Sequence, residues 1–115
     1  MRTVSTLVPD FALAAALTAA ASALPTPAAA QDVQALLQKN LCITCHAVDR
    51  KIVGPAFKDV AAKYANEADA KKTLARHIRA GSSGRWGAVP MPPNVNVNET
   101  DAEALATWVL AQKQE

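Results

Sequence analysis

The densest chemistry in this chain lies in Cys42-Ile43-Thr44-Cys45-His46, which holds its only two cysteines and one of its two histidines. Two thiols one helical turn apart can form thioethers with two vinyl groups of a single porphyrin. The imidazole that follows then falls beneath the iron, where a nitrogen ligand is wanted. The run reads as a site of covalent c-type haem attachment. Three other chemistries share parts of the pattern. A C-x-x-C pair serves thiol–disulfide exchange, usually beside a βαβ pattern that this chain lacks. A structural disulfide in a small secreted domain would close so short a loop here that it would constrain almost nothing. A closed zinc site wants four Cys or His ligands and would have to recruit His77 too, using every candidate present.

A haem iron has a second axial position. Met91 is one of two methionines, and the other is Met1. It stands in Pro90-Met91-Pro92-Pro93, where prolines restrict the backbone on both sides and would hold a soft sulfur ligand at low entropic cost. A methionine more often fills a gap in a core, but a position between prolines in a loop is poorly suited to that. His77 is the rival ligand and would give a lower potential. It lies beside Arg76 and Arg79 with no bracketing turn, and reads as a surface residue or a partner for a haem propionate. Histidine–methionine ligation leaves no open position for oxygen or peroxide and raises the potential relative to two nitrogen ligands. That chemistry is one-electron transfer, so the chain reads as a carrier and not an enzyme. The alternative is a haem-based ligand sensor or a peroxidase-like enzyme with a labile Met91; a third reading is a haem-free dithiol oxidoreductase.

These residues need elements to position them. Residues 1–30 read as a secretory signal: Arg2 precedes an apolar run from Phe11 to Leu24, shorter than the roughly 20 residues of a spanning helix. Pro25 and Pro27 end that run, and Ala28-Ala29-Ala30 supplies a small-residue cleavage site before Gln31. Residues 31–115 then form one domain. The formal net charge is +2, which gives no argument for nucleic acid, although Lys39, Arg50, Lys51 and Lys58 crowd the haem motif and allow a local basic face. A domain this short is marginal alone, and a covalent haem would complete its core; the apoprotein is expected to fold poorly.

The pattern is all helical. Asp32 can cap a first helix over about 33–40, with Val33, Leu36 and Leu37 on one face, running into the haem motif. Gly54-Pro55 breaks the chain. Phe57, Val60, Ala61 and Tyr64 then mark a helix over 57–64. Asp69 caps a third through about Ala80, with Leu74 and Ile78 as its stripe and Gly81 as its stop. Glycines and prolines from Gly81 to Asn98 exclude long regular structure, and a loop of that length is usually functional or disordered. Thr100-Asp101-Ala102-Glu103 reads as a capping box opening a last helix to about Gln112, with Leu105, Trp108 and Val109 facing the first helix.

Taken in order, Cys42-Ile43-Thr44-Cys45-His46, Val53-Gly54-Pro55-Ala56, Gly84-Arg85-Trp86-Gly87 and Val89-Pro90-Met91-Pro92-Pro93-Asn94 resemble the small class I bacterial cytochromes c, over essentially all of residues 31–115. The resemblance implies an all-α class I cytochrome c fold, about four short helices wrapped round one haem c bound through Cys42 and Cys45. It implies His46 as proximal and Met91 as distal ligand, the Pro55 carbonyl accepting a hydrogen bond from the other His46 nitrogen, Trp86 donating to a propionate, and Asn94 near the Met91 sulfur. It further implies a periplasmic monomer that exchanges electrons with redox partners docking at the haem edge. The donor would be an upstream cytochrome or a quinol-oxidising complex, and the acceptor a nitrite reductase, cytochrome oxidase or peroxidase. Nucleic acid and stable membrane insertion play no part in that picture. Two departures stand out: His77 sits where relatives often carry an arginine or lysine reaching a propionate, and Asn94-Val95-Asn96-Val97-Asn98 is one residue longer than in some of them.

Overall fold

The computed structural model describes residues 32–113, so the expected export signal and its cleavage site lie outside the described residues. Five helices follow one another: α1 Val33–Lys39, α2 Cys42–Cys45, α3 Phe57–Tyr64, α4 Ala70–Ala80 and α5 Glu99–Leu110. Among the described residues no sheet forms; there are two isolated antiparallel bridges, His46 with Lys51 and Ser82 with Met91. No helix of the described residues is long and apolar enough to cross a membrane.

The Asp32 carboxylate accepts the N–H of Gln34 at 3.0 Å and of Ala35 at 3.3 Å, satisfying donors that the first turn of α1 cannot. The helix does not run on into the haem motif as expected. Leu41 takes a left-handed conformation, φ 57° and ψ 24°, at the position after a helix C-cap where glycine is usual. The chain turns there, and α2 starts afresh as a single turn carrying both thiols.

Helix α3 begins at Phe57 as the spacing predicts, but its N-cap is Ala56, whose methyl group offers no hydrogen-bond acceptor. The N–H groups of Phe57 and Lys58 donate instead to the carbonyls of Ala47 and Val48, at 2.9 and 3.0 Å. This backbone cap ties the segment after His46 to α3. Asp69 occupies the N-cap position of α4, yet at φ −103° and ψ 23° it makes no side-chain capping bond, because capping requires an extended backbone. The capping box of α5 also moves. Asn98, not Thr100, is the cap: its carbonyl accepts the Asp101 N–H at 2.8 Å, and its amide donates to the Asp101 carboxylate at 3.1 Å. Thr100 is already inside the helix, which ends at Leu110 rather than Gln112.

Helix α5 packs against α1, α3 and α4. Ala102 and Ala106 are completely buried, and their small side chains allow close backbone approach. Leu105 and Val109 fill the space beside them together with Leu36, Leu37, Val60 and Leu74. Among the described residues the buried residues are apolar apart from the Tyr64 hydroxyl, so this half of the molecule is held by apolar contact.

The left-handed Leu41 is 69% exposed, so its side chain contributes little burial to offset the roughly 1–2 kcal/mol that an L-residue loses there. Leu41→Gly is expected to stabilise the protein by about 0.5–1 kcal/mol, after subtracting the extra freedom of an unfolded glycine. The β-branched Leu41→Val should do the opposite. Thermal melts of the two variants against the parent check the order.

Candidate functional site

The apolar helices close on only one side. On the other they bound a cavity of about 370 Å³, within the range of pockets that bury a small organic molecule. Cys45, His46 and Pro55 line one part of it, Trp86 and Met91 another, and Phe57, Val60, Leu74 and Val109 supply its apolar floor. Five of the seven expected site residues therefore meet at one cavity. Cys42 does not line it; it is half-buried against the helix core. Asn94 does not line it either.

His46 is positioned with little freedom. Its Nδ1 lies 2.7 Å from the Pro55 carbonyl oxygen. A carbonyl only accepts, so the proton sits on Nδ1 and the Nε2 lone pair is left free. The ring stacks on Phe57 at 5.1 Å, and Phe57 meets Trp108 of α5 edge-on at 5.2 Å, linking the imidazole to the core. Gly54 leaves the necessary room: a Cβ there would stand 2.5 Å from His46 Cε1. The Gly54 N–H donates to the Cys45 carbonyl at 2.8 Å, which returns the chain tightly over the motif.

Met91 is held from the other side. The Ser82 and Met91 backbones exchange two hydrogen bonds, at 3.0 and 2.8 Å. Gly81 allows that approach, with φ 83° and only 2.8 Å between a Cβ placed on it and the Met91 carbonyl. Three residues further on, Asn94 donates to the Ile78 carbonyl through both its backbone N–H at 3.0 Å and its side-chain amide at 3.1 Å. The Arg79 Nε adds a bond to the Val97 carbonyl at 3.2 Å. The long loop is thereby fastened to the C-terminal end of α4, whose last carbonyls need partners.

The two thiols are free. Burial pushes the Cys42 thiol up, with a smaller rise from neighbouring Cys45, partly offset by a backbone hydrogen bond. A dithiol exchange centre needs a depressed pKa, so this environment opposes that chemistry.

The rest of the wall is polar; of its residues the sequence pointed to His77, as a surface residue or propionate partner, but not to Tyr64 or Arg85. Tyr64, His77 and Arg85 line it beside Trp86. Lys63 reaches across from α3, donating to the Arg85 carbonyl at 2.8 Å and lying 4.4 Å above the Trp86 ring. His77 is half-buried, edge-on to Tyr64 at 6.4 Å. Burial first, then Arg85 and Arg76, push its pKa down, with Glu67 opposing, which favours the neutral imidazole. An aromatic at helical spacing reads as core, and nothing in Gly84-Arg85-Trp86-Gly87 by itself tells where the arginine turns.

The residues present fit a haem. The cavity is lined mainly by apolar groups, a nitrogen lone pair is left unused on one wall and a thioether stands on another, and Gly54 leaves its space to the imidazole. The fully buried Tyr64 hydroxyl has no hydrogen-bond partner, as expected of a group awaiting a polar atom that the chain does not supply.

Comparison with known proteins agrees. The cytochrome c family model matches residues 30–113. Cytochrome c-552 of Nitrosomonas europaea is 57% identical over 96 residues, 84% of this chain and 93% of that protein. Cytochrome c-551 of Pseudomonas aeruginosa is 50% identical over 97 residues, 84% and 92% of the two chains. The crystal structure of wild-type Nitrosomonas europaea cytochrome c552 superposes with a TM-score of 0.68 at 59% identity, covering 70% of this chain and 99% of that one. With its all-helical fold around a C-x-x-C-H cavity, the chain belongs to the cytochrome c family, among its small class I members.

Proposed function

We propose that this protein is a periplasmic carrier of single electrons, its haem c held between His46 and Met91. The observation that carries the reading is the His46 Nδ1–Pro55 bond, which commits the Nε2 lone pair to the cavity that Met91 also lines. When bound, haem c supplies an iron that cycles between the ferrous and ferric states. Cys42 and Cys45 would anchor it, each thiol adding S–H across a vinyl group. His46 Nε2 would be the proximal ligand, made more basic by the Nδ1–H bond to Pro55. Met91 Sδ would be the distal ligand, held by the Ser82 pairing and the flanking prolines. Both are anchored through backbone, so neither must move when the charge changes.

The mouth of the cavity supports docking of redox partners. Val53 and Val89 line it while 52% and 63% exposed, and Ile43 of the haem motif is 52% exposed. Lys51 lines the same cavity and is exposed, with Lys39 and Arg50 exposed nearby in the chain. An apolar patch with a basic rim favours fast association and fast release. The partners that suit it are an upstream cytochrome or quinol-oxidising complex and a downstream reductase or oxidase.

Met91→Ala should abolish the weak near-red band of sulfur–iron ligation in the oxidised protein and let the reduced form bind carbon monoxide rapidly. A parent protein that already binds carbon monoxide as fast would overturn the carrier reading and favour a sensor or peroxidase. Gly54→Ala should press on the His46 ring and cost about 1–3 kcal/mol of stability by overpacking. An unchanged thermal melt would show that the imidazole is not confined there.

A further inference from the structure

At the polar end of the cavity three observations converge. The Tyr64 residue is 1% exposed, and its hydroxyl is buried without a hydrogen-bond partner. Leaving such a group unpaired costs on the order of 1–3 kcal/mol, so a partner from outside the chain is the natural account of it. The Arg85 guanidinium stands 5.1 Å from the Tyr64 ring centroid. The two groups are neighbours, although they do not meet with hydrogen-bond geometry. Finally, His77 on α4 lines the same end, its charged form disfavoured by burial and by nearby Arg85 and Arg76.

We propose that Tyr64 and Arg85 form the anion-binding end of the cavity and hold one haem propionate, the buried hydroxyl donating to it and the guanidinium supplying a positive charge from the loop. The inference rests on the haem reading above and names residues that reading leaves without a role.

Other charged groups around this end are consistent with the arrangement. Glu67 pairs with Arg85 at 3.4 Å, both side chains being substantially exposed, and such a surface pair is weak. A guanidinium has five N–H donors, so Arg85 can keep Glu67 on one edge and take a second carboxylate on another. Lys63 is engaged with the Arg85 carbonyl and the Trp86 ring and thereby fixes the backbone from which Arg85 extends. Arg76, on α4, is exposed. The Tyr64 hydroxyl donates to a carboxylate, which only accepts, so the buried O–H and the cation complement the same oxygen atoms.

The test uses the intact holoprotein with its haem propionate carbons labelled, titrated by carbon NMR. Arg85→Gln should raise the pKa of one propionate by about one unit or more, the size of effect expected when an adjacent opposite charge is lost. Tyr64→Phe removes only the hydroxyl and should raise the same propionate. Glu67→Gln removes a competing carboxylate and should lower it. Opposite signs for Arg85→Gln and Glu67→Gln exclude a role confined to their mutual ion pair, which would leave both propionates unmoved. If both propionates titrate as in the parent in Tyr64→Phe and Arg85→Gln while the near-red band persists, the inference is overturned and the carrier reading stands. A protein that retains no covalent haem after denaturation would overturn both together.

Discussion

The bond between His46 Nδ1 and the Pro55 carbonyl, 2.7 Å long, is the interaction on which the rest of this molecule turns. It leaves an ambivalent imidazole with one defined lone pair. The Gly54 backbone must pass against the ring for Pro55 to reach it, and Phe57 must lie where the ring can stack. The backbone cap of α3 by Ala47 and Val48 locks that segment to the helix. Through Phe57 and Trp108 the same imidazole is connected to α5, the helix that gathers the core. Orientation of one ring is thus paid for by a chain of contacts running through the whole domain.

Much of this was legible before any coordinates. Helix α3 matches its four apolar residues because Phe57, Val60, Ala61 and Tyr64 all had to face inward, and all four are buried. His46 and Met91 could be paired from the residues themselves, while Pro55 and Trp86 joined them only through the resemblance to a known family; all four line one cavity. What failed were choices between near-equal local signals. Asn98 and Thr100 are both good caps, and each has an acidic residue three positions on; the chain takes Asn98. Leu41 gave no warning of a left-handed turn, since leucine has no preference for it and the turn is imposed by the surroundings.

Other parts were illegible for a different reason. The Ser82–Met91 pairing joins backbone groups nine residues apart and has no side-chain signature. Asn94 carried an expectation of sitting near the Met91 sulfur, and its amide is used to hold the loop to Ile78. Tyr64 has the spacing of a core aromatic and is one, yet its hydroxyl is an unanswered polar group in that core. Sequence periodicity registers the ring and is blind to the oxygen.

The two walls of the cavity are built by different means, and the difference fits the chemistry. The wall carrying Cys45 and His46 adjoins helices packed by apolar contact, with alanines bringing the backbones close. The wall carrying Met91 is a loop with no apolar core of its own, fastened by backbone hydrogen bonds to Ser82 and Ile78 and by Arg79 to Val97. Such fastenings are directional, so they fix where a sulfur atom stands without needing bulk around it. A loop held this way also keeps Val89 and the prolines at the surface, where a partner can reach the cavity mouth. An electron carrier needs both properties at once: side chains around its redox group that stay in place, and an edge near enough to solvent for the electron to leave. Apolar packing alone would give the first by sealing the second. A hydrogen-bonded loop over an apolar floor gives both.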